Sequence, residues 1–290
     1  MNNLRCSPCV DSGELARLNR RVLEIRYEIA ESLGQSALEA IDNGEYLSDR
    51  GLVNWSTEIK AAEAAKMSIP PDASLPDRDR QLLDETLVTV ANQTTLAAAG
   101  ALVAGGLRPL ALNFANGVEP GGGFLRGATA QEETLCRSSA LYATLFGDPM
   151  YEFHRENDPA PSSDWAILSP DVPVFRDDAG MECDHPWLLS FLTCAAPYAP
   201  AIGRTDSARM LHGRIHRVLA IASAYGYESL VLGAWGCGVF GNDTNQTAVD
   251  FRTALEGEFA GVFSHVVFAI ADWSEERRYL RPFCNVFSDG

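Results

Sequence analysis

Between residues 11 and 44 the apolar side chains Leu15, Leu18, Val22, Ile25, Ile29 and Leu33 return every three to four positions. That is the spacing of one helical face, so the chain opens on a helix, or on two in succession. A shorter helical run follows at residues 57–67. Pro70, Pro71 and Pro76, with Asp72, Ser74 and Asp77 among them, exclude a helix and mark a surface linker. The chain is therefore divided into an N-terminal helical extension with linker, 1–76, and a main domain, 77–290, packed as one integrated unit. Beyond the linker, short apolar runs alternate with helical segments. Strands are expected at 87–91, 109–114, 188–194, 229–234 and 265–271, and helices at 94–104, 131–145, 206–225 and 246–258. In the helix at 206–225, Leu211, Ile215, Val218, Leu219 and Ala222 share one face, Thr205 or Asp206 can cap the start, and Gly226 can close the end. Alternating strands and helices, with the strands apolar throughout, predict an α/β fold: a mostly parallel sheet with helices on both faces. Such sheets bind ligands outside the carboxyl ends of their strands.

Composition narrows the partners. Of 290 residues, 46% are hydrophobic and 21% charged, which excludes a disordered chain. The net charge is −16 and the pI about 4.7, so no broad basic face exists to grip duplex nucleic acid. No run of eighteen apolar residues occurs and residues 1–10 lack an apolar signal core, so neither a membrane partner nor secretion is expected, and the compartment is expected to be cytoplasmic. Seven cysteines, an odd number over a long chain, suit reduced thiols better than a disulfide framework. Cys6 and Cys9 form a C-x-x-C pair without a second pair to complete a metal site, and read as part of a frayed terminus.

Two glycine-rich segments follow expected strands and precede expected helices. The first runs Asn113-Phe114-Ala115-Asn116, then Gly121-Gly122-Gly123, and on to Gln131-Glu132-Glu133; the second contains Gly233, Gly236-Cys237-Gly238-Val239-Phe240 and Gly241. Backbone without Cβ atoms can take positive φ and approach a bulky ligand, and a helix start beyond each loop adds partial positive charge. Together the loops can hold a pyrophosphate without a lysine; separately, each also reads as a tight turn. Neither contains the G-K-[ST] of a P-loop. Thr129-x-x-Glu132 fits a capping box, which occupies at most one of the two adjacent glutamates. The other is free to face a cavity, where glycosidic chemistry requires a protonated carboxyl beside the leaving oxygen. Burial and a neighbouring anion raise a carboxyl's pKa, and these effects are expected to dominate once a pyrophosphate dianion is bound.

Gly121-Gly122-Gly123, seven residues, then Gln131-Glu132-Glu133 resembles the motif of poly(ADP-ribose) glycohydrolases of the compact bacterial type. Asn113 to Asn116, Ser169-Pro170-Asp171-Val172-Pro173-Val174-Phe175-Arg176, the loop from Gly233 to Asp243, and Ile59-Lys60-Ala61-Ala62 resemble family segments in family order, over about residues 20–283. The resemblance implies an α/β/α sandwich with a macrodomain-like mixed, mostly parallel sheet and an N-terminal helical extension. It implies Glu133 as general acid and then base, Glu132 holding ribose hydroxyls in competition with the capping reading, and Gln131 positioning the glutamates. Asn116 would contact the distal ribose, and Gly121, Gly122 and Gly123 would pass close to that ribose and its phosphate. Gly236, Cys237, Gly238 and Val239 would offer N–H groups to the pyrophosphate, with Phe240 packed on the distal ribose. No cofactor or metal is implied, and His212 and His216 read as an exposed helix face.

One departure concerns the base. Animal glycohydrolases carry an adenine-stacking aromatic after the last strand, where this chain reads Phe268-Ala269-Ile270-Ala271-Asp272; Trp273 can serve in its place, and reads first as core or rim packing. The expected activity is hydrolysis of ribose–ribose O-glycosidic bonds of poly(ADP-ribose), releasing ADP-ribose. Removal of single ADP-ribose units from modified protein, or non-catalytic ADP-ribose reading, stand as alternatives; the intact glutamate pair speaks against the reader.

Overall fold

The computed structural model describes residues 3–78 and 81–288; residues 1, 2, 79, 80, 289 and 290, which fall within the two ranges drawn from the sequence, lie outside it. Ten strands are described: β1 (Leu4–Cys6), β2 (Glu45–Ser48), β3 (Gly51–Asn54), β4 (Met67–Ile69), β5 (Thr86–Ala91), β6 (Pro109–Ala115), β7 (Ala166–Arg176), β8 (Glu182–Ala195), β9 (Ser229–Leu232) and β10 (His265–Ala269). Eight form one sheet in the order β1-β5-β10-β9-β6-β8-β7-β4, and β2 and β3 form a separate antiparallel hairpin. Pairing is parallel from β1 across to β8 and antiparallel at β8–β7 and β7–β4. This is the mixed, mostly parallel α/β sheet expected.

The strands bury both faces, as their unbroken apolar runs require. Leu110 and Leu112 of β6 join one core with Val266, Phe268 and helix Arg204–Ala224, while the alternate residue Ala111 joins the other with Leu96, Leu135, Phe124 and Trp55. Two edge strands, β1 and β4, come from the region before residue 77, so the N-terminal extension is built into the sheet as well as onto it. Its helices are Gly13–Leu23, Tyr27–Asn43 and Ser56–Ala65.

Several elements differ from the sequence expectation. The helix expected over 131–145 is two, Gln131–Ser138 and Leu141–Leu145, because Ser139 is extended and bridges Val174 of β7. Helix Arg204–Ala224 begins two residues early on Gly203 with no side-chain cap, so neither Thr205 nor Asp206 serves as one. The β7–β8 hairpin extends well past the sheet, and register shifts at Ser169/Val172 and Val174/Arg176 turn it back over the helices, as bulges do. Cys9 is bonded to Cys284, and Cys6 lies in β1 opposite Val88 of β5, which corrects the expectations of seven reduced thiols and of a frayed terminus. His212 and His216 pair with Asp250 and Glu258, and among the described residues no group of three or more potential metal ligands occurs. No helix of the described residues is long and apolar enough to cross a membrane.

Candidate active site

A cavity of about 480 Å³ opens at the carboxyl ends of β5, β10, β9 and β6. Helix Gln131–Ser138 supplies its chemistry from its first turn. Ala130 is the N-cap residue and makes no side-chain cap bond, so the capping box on Thr129 and Glu132 does not form.

Gln131 locks this helix start onto β6. Its Oε1 accepts from Phe114 N–H at 2.9 Å and its Nε2 donates to Leu112 O at 2.8 Å and to Thr95 Oγ1 at 3.2 Å. Pairing of β6 with β9 covers only Pro109 to Ala111, so beyond it the Gln131 amide satisfies the backbone groups a parallel partner would have taken.

Glu132 is nearly inaccessible, 3% exposed. Its Oε2 accepts from Asn116 N–H at 2.6 Å and its Oε1 from Asn113 Nδ2 at 3.2 Å. Burial, the largest influence, pushes its carboxyl up to about 8; the Asn116 N–H pulls the other way, and the charge of Glu133 raises it further. Asn113 Oδ1 is buried without a partner. With the amide turned over, it would accept the proton of a neutral Glu132. Asn113, quoted in the sequence only as part of a segment, is thus a site residue.

Glu133 accepts from Gly123 N–H at 3.0 Å. Gly121 and Gly122 take φ +71° and +57°. The absent side chain of Gly122 makes room for both glutamates, and those of Gly121 and Gly123 make room for Phe124, Cys136 and Ala128. Asn116 does line the cavity; its Oδ1 accepts from Val118 N–H (2.9 Å) and Glu119 N–H (3.0 Å), which leaves Nδ2 available.

In the second loop, Gly236, Gly238, Val239 and Phe240 line the cavity, and their N–H groups have no partner among the described residues. Asn242 holds the loop from behind, donating to Pro197 O at 2.9 Å and Gly236 O at 3.0 Å. Cys237 departs from the expectation: its N–H goes to Ala234 O and its buried thiol faces Thr247, so it is not on the wall. The following helix, Thr244–Glu256, is capped by Asp243 onto Gln246 N–H. Phe240 meets Tyr198 edge to face, with centroids 5.7 Å apart.

The cavity is also lined by Gln93, Thr94, Ile270, Trp273, Tyr279 and Asp178. Trp273, 37% exposed, stands on the wall, the rim position rather than the core one of the packing expected for it. Asp178 arrives on the folded-back β7–β8 arm, and no local pattern in Asp177-Asp178-Ala179-Gly180 marks it as other than a turn.

A family model for the microbial-type PARG catalytic domain matches residues 34–177. Among solved structures, poly(ADP-ribose) glycohydrolase from Thermomonospora curvata is 39% identical, with a TM-score of 0.84, over 89% of this chain and 99% of that one. The same enzyme bound to the inhibitor ADP-HPD is similar at 40% identity and TM-score 0.82, over 89% of this chain and 99% of that one. Poly(ADP-ribose) glycohydrolase from Deinococcus radiodurans in complex with ADP-ribose is 37% identical, with a TM-score of 0.71, over 79% of this chain and 96% of that one. No curated protein matches. With the sheet, the paired glutamates and a relative covered almost end to end, this chain belongs to the microbial-type poly(ADP-ribose) glycohydrolases.

Proposed function

We propose that this chain hydrolyses the ribose–ribose O-glycosidic bond of poly(ADP-ribose) with Glu133 as general acid and then base. The observation that carries the reading is the pair of carboxylates on one helix turn, facing a cavity whose opposite loop offers four unpartnered N–H groups. Those N–H groups suit a pyrophosphate, since backbone amides carry no counter-ion and need no basic surface. With the pyrophosphate on the β9 loop, the strand order supports a distal ribose toward β6 beside Asn116, Phe240 and the glutamates, and adenosine toward β10 and β5.

Hydrolysis follows with its protons balanced. Protonated Glu133 gives its proton to the leaving ribose oxygen as the bond to the anomeric carbon breaks. The carboxylate it becomes takes a proton from the attacking water, which adds to that carbon and restores the acid. Glu132, held by Asn116 and Asn113, orients the ribose hydroxyls.

The test is side-by-side digestion of automodified poly(ADP-ribose) polymerase and of a mono-ADP-ribosylated protein. Release of ADP-ribose from polymer alone supports the glycohydrolase reading. Release only from the mono-modified protein would move the same cavity to protein-linkage hydrolysis, and release from neither would reduce it to a binding site.

A further inference from the structure

His154, buried on helix Pro149–Glu156, holds both ring nitrogens in hydrogen bonds. Its Nδ1 lies 2.8 Å from Gly117 O and its Nε2 2.6 Å from Ser163 Oγ. A carbonyl oxygen only accepts, so Nδ1 carries the proton and Nε2 accepts from the Ser163 hydroxyl. Burial pushes the imidazole pKa below its ordinary value; the Gly117 carbonyl pulls the other way, and the charge of Arg214 adds to the lowering, so the ring is neutral at pH 7. Ser163 Oγ in turn accepts from Trp165 N–H at 3.2 Å. Arg214 ties the same segment down, donating to Pro161 O at 3.1 Å and to Asp164 Oδ1 at 3.0 Å. The direction of the Nδ1–H bond is thus set from behind.

What that bond fixes is the turn carrying Asn116. The peptide between Gly117 and Val118 has its C=O on His154 Nδ1 and its N–H, at 2.9 Å, on Asn116 Oδ1. The next peptide repeats the arrangement: Val118 O accepts from Arg155 Nη1 at 2.7 Å, and Glu119 N–H donates to Asn116 Oδ1 at 3.0 Å. Arg155 reaches its carbonyl from an exposed stem, whose freedom weakens the hold, so buried His154 is the firmer anchor. Gly117 permits the close approach: a Cβ there would lie 2.6 Å from Ser162 Oγ and 3.4 Å from His154 Nδ1. His154 itself stands outside the cavity wall, whereas Asn116 is part of it. We propose that His154 is a positioning residue: by holding the Gly117 carbonyl it fixes the orientation in which Asn116 offers its Nδ2 to the distal ribose. The inference rests on the glycohydrolase reading of the cavity, in which Asn116 meets that ribose.

Turnover of poly(ADP-ribose) by His154→Asn and by His154→Gln tests it, in the wild-type background and with Asn116→Ala. The Asn amide nitrogen falls where Nδ1 stands and can still donate to Gly117 O; the Gln amide falls where Nε2 stands and leaves that carbonyl unmet. Counting kcat/KM per ADP-ribose-binding site, from the stoichiometry of an ADP-ribose titration, keeps unfolded protein out of the comparison. His154→Gln is expected to lower it about tenfold, as a small misplacement of a substrate-positioning group does, and His154→Asn by less than about threefold. In the Asn116→Ala background His154→Gln should cost less than about twofold, because a residue acting through Asn116 has nothing left to position. Equal losses from the Asn and Gln variants, or the same loss from His154→Gln in both backgrounds, would overturn the assignment while leaving the hydrolase standing. Absence of turnover in the wild type would remove the functional reading along with it.

Discussion

The Cβ that Gly122 lacks would lie 2.4 Å from Glu133 Oε1 and 3.1 Å from Glu132 Oε2. The two carboxylates therefore occupy the space a side chain at this position would need. Gly122→Ala must displace Glu133 and also hold alanine at φ +57°, which is unfavourable for a residue with a Cβ. Turnover of poly(ADP-ribose) is expected to fall at least about a hundredfold, with ADP-ribose affinity reduced far less because the 236–240 loop is untouched. Unchanged turnover would mean that Glu133 does not act from this position.

Glu132 gives the protein a pH-dependent stability. Its carboxyl sits at about 8 when folded against an ordinary value of 4.5. Between those values the folded state holds a proton that the unfolded chain has released, so stability falls as pH rises through that window and levels off above it. Glu132→Gln removes the titration, and Asn113 Oδ1, unpartnered in the wild type, can accept from the new amide. Thermal melts across pH 4.5 to 8.5 should show the variant gaining on the wild type with rising pH. Parallel curves for the two proteins would contradict this.

Gln131 acts through the backbone. Gln131→Met keeps the length but leaves Leu112 O and Phe114 N–H without partners, at about 1–3 kcal/mol each. Urea unfolding should register a loss of about 2–6 kcal/mol, accompanied by lower turnover, since the helix start bearing both glutamates is no longer tied to β6. A variant as stable as the wild type would show that this tie does not matter.

The Cys9–Cys284 bond leaves five free cysteines, Cys6, Cys136, Cys183, Cys194 and Cys237. Thiol titration of protein isolated without reductant and then denatured should give five thiols per chain, and seven after reduction. Seven without reduction would exclude the bond.

Much of this was legible because the sheet buries both faces, so β5, β6, β9 and β10 each read as an apolar run, and because the glutamates sit on a helix start beside glycines. What was hidden depends on distant partners. β7 carries Pro170 and Pro173, which argue against a strand until register shifts at Ser169/Val172 accommodate them. Ser139 breaks a helix only because Val174 is there to bridge it. Cys237 sits among four residues with available N–H groups, and only the turn back to Ala234 removes its own. Asp178 reaches the cavity through the curvature of a whole hairpin, which no spacing encodes.

The most direct test is steady-state turnover of poly(ADP-ribose) by Glu133→Gln, with ADP-ribose affinity measured on the same preparation. Loss of the acid/base group should lower kcat by about 10² to 10⁴, with affinity within a few-fold of the wild type because the pyrophosphate loop and Glu132 remain. Wild-type turnover in Glu133→Gln would contradict the assignment of this residue as the proton donor.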